Sequence, residues 1–79
     1  MSHTPHELIE EFADKIETMQ ALKQSDAHFA KLYDDYHTVN RAIHRAETNV
    51  EPTDDMHMIE MRKERMSLKD QISAALNAG

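Results

Sequence analysis

Six histidines stand in a chain of 79 residues, beside fifteen acids and no cysteine. Neutral imidazole ligates zinc, copper or nickel and titrates close to neutral pH, so the first chemistry to test is a metal or pH sensor. The spacing argues against a chelate. His37 and His44 lie two helical turns apart, and no His-x-x-x-His or Glu-x-x-His ladder occurs. His28, His57, Glu7, Asp54 and Asp55 add ligand types without completing such a ladder. His3 could join the terminal amine and backbone nitrogens in a square-planar copper or nickel site, which removal of Met1 would abolish. Neither a metal site nor a cofactor is expected.

Arg62, Lys63, Arg65 and Lys69 form the one basic concentration, the only feature that suggests RNA or an anionic lipid surface. Glu60, Glu64 and Asp70 interrupt it and can pair with it locally. No aromatic is interleaved for base stacking. With a net charge of -6 the chain repels phosphate, so nucleic acid is disfavoured; a nucleic-acid-associated regulator is the alternative reading, beside the histidine sensor. Catalysis has less support still. There is no cysteine, no glycine-rich loop and no arguable Ser-His-acid constellation, so no enzyme is expected.

The elements that would carry these residues are helical. Phe29, Leu32, Tyr36, Val39, Ile43, Ala46 and Val50 recur at three- and four-residue steps, one apolar seam that a partner helix must cover. Thr4-Pro5-His6-Glu7 reads as a helix start, with a capping hydroxyl, a first-position proline and a glutamate placed to bond back. Leu8, Ile9, Phe12, Ile16, Met19 and Leu22 follow on one face. Gln24-Ser25-Asp26 interrupts the pattern without Gly or Pro; a break is favoured there, and a continuous bent helix is the other option. Thr48 through Thr53 collects turn formers, and Thr53 or Asp54 caps a last helix. The expected elements span 5–23, 26–48 and 54–77 of a single helical domain, 1–79.

The short connection makes the last two helices antiparallel neighbours. Their expected core is Phe29, Leu32, Tyr36, Val39 and Ile43 against Met58, Ile59, Met61, Leu68 and Ile72. Residues whose numbers sum to about 102 should face each other, Ile43 near Ile59 and Tyr36 near Met66. Arg65 stands where the beat asks for an apolar residue. Its stem is expected along the seam, with its head reaching water or an acid such as Asp34 or Asp35; gripping a partner's carboxylate or phosphate is the sharper alternative. The fold class is thus all-α: an antiparallel, coiled-coil-like helical hairpin preceded by an N-terminal amphipathic helix.

The block Met61 to Ile72, with Leu68-Lys69-Asp70 at its centre, resembles the C-terminal signature of the YdcH family of small bacterial proteins. Leu22-Lys23, Phe29, Leu32, Ile43 and Glu47 stand where that family has similar residues, so the likeness runs from about Leu22 to Leu76. Met61 and Met66 replace typical leucines, and the first helix is longer. The resemblance implies a hairpin and a bacterial cytoplasmic setting, and carries no activity.

A chain this short holds little interior of its own, and without cysteine it forms no disulfide. Burial against another copy or another protein is the expected supplement, which points to an interaction or assembly module, self-associating as a homo-oligomer or bound in a larger complex. Leu8, Phe12, Ile16 and Met19 on the first helix, with Met56 and Met66 on the last, are the interface candidates. No run of about twenty apolar residues exists to span a membrane, and the opening residues lack a secretory pattern, so the expected address is the cytoplasm.

Overall fold

A computed structural model of the protein describes residues 5–48 and 54–78. Among them the chain forms α1 (Leu8–Glu11), a 3-10 turn (Ala13–Lys15), α2 (Ile16–Ser25), α3 (Ala27–Glu47) and α4 (Asp55–Ala78), with no strand. Helices α3 and α4 pack as the antiparallel hairpin, and the N-terminal elements lie against it. Val50 and Thr53 fall outside the described residues.

Short acidic caps set the boundaries. Asp26 leaves helical geometry (φ -132°, ψ 105°) and its Oδ1 accepts from the amides of His28 at 3.0 Å and Phe29 at 3.2 Å, so the expected break is real and one residue long. Asp54 Oδ1 takes the His57 amide at 2.7 Å and starts α4 in the same way.

The N-terminal segment departs from the expected single helix. Thr4 lies outside the described residues; Pro5 and His6 form a turn, His6 at φ 62°, and α1 begins at Leu8. Glu7 stands at its N-cap without a side-chain cap bond, because its carboxylate is turned to partners on α3. A second interruption follows: Phe12 and Lys15 both leave helical torsions (φ -127° and -128°) around the 3-10 turn. No Gly or Pro forces it. The bend lets the first turn lie across the hairpin while α2 packs against α3.

The core has two parts. Leu8 and Met19 from the N-terminal segment join Phe29, Leu32 and Tyr36 of α3 and Leu68, Ile72 and Leu76 of α4. Toward the turn, Ile43, Ala46 and Met61 form a second cluster, with Val39 and Met58 packed against it. Ile43 shares its cluster with Met61, and Tyr36 with Leu68 and Ile72, in place of the expected neighbours Ile59 and Met66. Ile59 lies two residues, about 200° of helix, from the buried Met61, and Met66 the same from the buried Leu68. Ile59 and Met66, expected opposite Ile43 and Tyr36, therefore point outward and are 46% and 62% exposed. Met61, Leu68 and Ile72 face inward as expected, Leu76 joins them, and Arg65 meets a matching polar residue, Asn40.

Candidate functional site

Polar chemistry gathers where the N-terminal segment crosses the hairpin. Asn40 is 1% exposed, the one buried polar residue among those described. Its Nδ2 donates to the Pro5 carbonyl at 2.8 Å and to Glu7 Oε2 at 3.2 Å, and its Oδ1 accepts from Arg65 Nη1 at 2.9 Å. Arg65 thus meets Asn40, not Asp34 or Asp35. Tyr36 Oη donates to the His6 carbonyl at 2.6 Å, so two α3 side chains hold successive backbone carbonyls of the segment. This grip holds His6 in the left-handed region, where histidine is tolerated better than most residues.

Two glutamates one helical turn apart brace opposite walls. Glu7 accepts from His37 Nδ1 at 2.8 Å and from Arg41 at 3.2 Å on α3, whereas Glu11 accepts from Lys69 at 3.0 Å on α4 and lies 3.3 Å from His6. Partial burial pushes the Glu7 carboxyl up, but the charge of His37 and hydrogen bonds from His37, Arg41 and Asn40 outweigh it and hold it below its ordinary value. For Glu11 the Lys69 hydrogen bond leads, and with His6 it overcomes burial in the same direction. Tyr36 is pushed up to about 12, by burial first and then by the Glu11 charge, so its hydroxyl remains a donor. His37 Nε2 is buried without a hydrogen-bond partner among the described residues.

A cleft of about 240 Å³ opens beside this clamp, lined by Glu11, Tyr36, Arg62, Arg65 and Lys69 among others. Its cations already have partners: Arg62 on Glu47 at 2.9 Å, Arg65 on Asn40 and Lys69 on Glu11. The basic concentration of the sequence is therefore divided among contacts within the chain and does not form one free stripe. Among the described residues no group of three or more His, Asp or Glu side chains is placed to hold a metal ion, and no helix is long and apolar enough to cross a membrane.

The interface candidates separate. Leu8 and Met19 are 0% and 2% exposed inside the core, and Phe12 packs against it, so these three hold the chain's own hairpin. Ile16 is partly exposed; Met56 at 69% and Met66 are open. With Ile59 the two methionines mark a second apolar face on α4, turned away from α3, where Ile59, Arg62, Lys63 and Met66 line a shallow apolar depression. The steps 56, 59, 63 and 66 follow the helical repeat, so α4 carries an inner seam and an outer one.

A family model described as Protein of unknown function (DUF465) matches residues 29–76, from the first buried residue of α3 to the last of α4. No curated protein and no solved structure matches the chain.

Proposed function

The chain belongs to the DUF465 family of proteins of unknown function, which includes the YdcH-like small bacterial proteins, and on that premise we propose that it is a non-catalytic interaction module joining a larger complex in the cytoplasm. The observation that carries this is the outer face of α4: Met56, Ile59 and Met66 are exposed in helical register, and no other described element covers them. Flexible thioethers suit a surface that moulds to a partner. Lys63, which is not engaged among the described residues as Arg62 is by Glu47, lies on the same face, so the complementary partner is an amphipathic helix with acids beside its apolar stripe.

Methyl-labelled methionine tests it. A designed helical peptide with leucines at i, i+3 and i+7 flanked by glutamates should shift the Met56 and Met66 resonances and leave the buried Met19 and Met61 resonances in place. Met66→Glu should weaken binding about tenfold or more with little change in melting temperature, since exposed substitutions change stability by roughly 0.5 kcal/mol or less. A peptide with lysine in place of glutamate binding equally well, or shifts confined to Met19 and Met61, would remove the proposal.

A further inference from the structure

We infer that the hairpin groove also accepts the N-terminal segment of a second copy of this chain, so that two molecules assemble by exchanging residues 5–25 about Asp26. The groove is used differently from the outer face of α4 and does not depend on it. Its walls are Phe29, Leu32 and Tyr36 on α3 and Leu68, Ile72 and Leu76 on α4, and its occupant is fully specified: Leu8 and Met19 as buried anchors, Glu7 on His37 and Arg41, Glu11 on Lys69. A segment from another copy offers the same atoms at the same sites. Each chain carries one groove and one segment, so a symmetric pair leaves neither unfilled.

The hinge is one residue. Asp26 alone separates α2 from α3, and helical hydrogen bonds already reach it from both sides: its amide donates to the Leu22 carbonyl at 2.8 Å and its carbonyl accepts from Ala30 at 3.0 Å. Rotating Asp26 from φ -132°, ψ 105° into the helical region joins α2 and α3 into one rod spanning 16–47. No Gly or Pro occurs in that span. Within the hinge the corner is held by the cap, two amides on Asp26 Oδ1, while the clamp and core contacts of residues 5–25 are remade on the second copy; in the rod the His28 and Phe29 amides pass to the carbonyls four residues back. A hinge this short, with helix-compatible residues on both sides, invites exchange.

Two substitutions push the hinge in opposite directions in the full chain. Asp26→Ala removes the cap and favours the rod; at about tenfold per hinge and two hinges per dimer, it should tighten dimerisation roughly 100-fold. Ala27→Pro fits the first position of α3, where the preceding Asp26 is already extended, but cannot sit inside a continuous rod; it should weaken dimerisation at least about 1,000-fold while keeping the helical content. Sedimentation over a concentration series reads both. A mixture of isotope-labelled and unlabelled chains then reports whether Leu8 and Met19 of one copy contact Phe29 and Ile72 of the other. The expected result is a concentration-dependent dimer, abolished by Ala27→Pro, enhanced by Asp26→Ala, with those intermolecular contacts and no change on Met66→Glu. Monomer throughout for both the native chain and Asp26→Ala, or a dimer that survives Ala27→Pro, would overturn the inference. A dimer lost on Met66→Glu but kept by Ala27→Pro would place association on the outer face of α4 instead.

Discussion

Replacing Asn40 by leucine tests whether the polar clamp holds the N-terminal segment. The side chain is 1% exposed and makes three hydrogen bonds, to a neutral carbonyl, to a carboxylate and from a guanidinium. A neutral bond contributes about 0.5–1.5 kcal/mol and one to a charged group about 1.5–3 kcal/mol, so the three together have an upper value of roughly 4–7 kcal/mol. Two relaxations reduce it. Glu7 keeps His37 and Arg41, and Arg65, which is only partly buried, can turn its head to water. A net loss of about 2–4 kcal/mol remains; for a domain of this size 1 kcal/mol moves the melting temperature by roughly 4–8 °C. Thermal denaturation followed by circular dichroism should therefore show a fall of about 10–25 °C, with hydrogen exchange fastest in α1 and α2. Glu7→Gln in the Asn40→Leu background should cost less than in the native chain, since the two share a bond. A variant melting within about 2 °C of the native protein would refute the clamp.

Acid should act through the same glutamates. Glu7 and Glu11 sit below their ordinary 4.5 in the folded chain, so the unfolded chain takes up their protons first; their stabilisation is complete above pH 4.5 and is lost as pH falls through the folded values. The double variant Glu7→Gln, Glu11→Gln should flatten that acid limb in a melting-temperature series, and parallel limbs would contradict the assignment. At the alkaline end Tyr36 works with the opposite sign: raised to about 12 from 10.0, it stabilises the fold below pH 10 and ceases to as pH climbs to 12, a loss that Tyr36→Phe should abolish in alkaline melts. Ile43→Asp places an unpaired charge at a fully buried site between α3 and α4 and should destabilise by more than about 4 kcal/mol, read as lost helicity at room temperature. Ile59→Ser, on the outer face, should leave the melting temperature nearly unchanged.

The hairpin was legible because its signals are local. The three-four beat through Phe29, Leu32, Tyr36 and Ile43 marks one side of a helix, and Asp26 and Asp54 are caps recognisable from their own neighbours. Register is not local. It depends on which residue of α3 meets Arg65, and the pairing was present as an unread signal: Asn40 lies one four-residue step from Tyr36 and one three-residue step from Ile43, the same kind of polar exception in α3 that Arg65 is in α4. Joining the two exceptions would have set Asn40 beside Arg65, while the outward turn of Ile59 and Met66 already followed from the inward Met61 and Leu68, each about 200° of helix away. The opening residues misled for a related reason. Thr4-Pro5-His6-Glu7 has the composition of a helix cap, but Glu7 finds a histidine, an arginine and a buried amide thirty or more positions away, and these outweigh a single bond back to the cap. Leu8 and Met19 fall on the expected apolar side; nothing in their spacing distinguishes an outward interface from the chain's own groove.

The clamp also fixes an order of events in synthesis. Residues 5–25 leave the ribosome before the residues that hold them: the partners of Glu7 arrive 30 to 34 positions later, and Lys69, which donates to Glu11, 58 positions later. The segment can acquire its place only once α4 has been made, and until then its leucine and methionine anchors lack half of the wall they rest on. The segment is therefore placed later than the helices that hold it, although it is translated before them, and neighbouring nascent chains on one messenger are together during the interval in which those anchors are uncommitted.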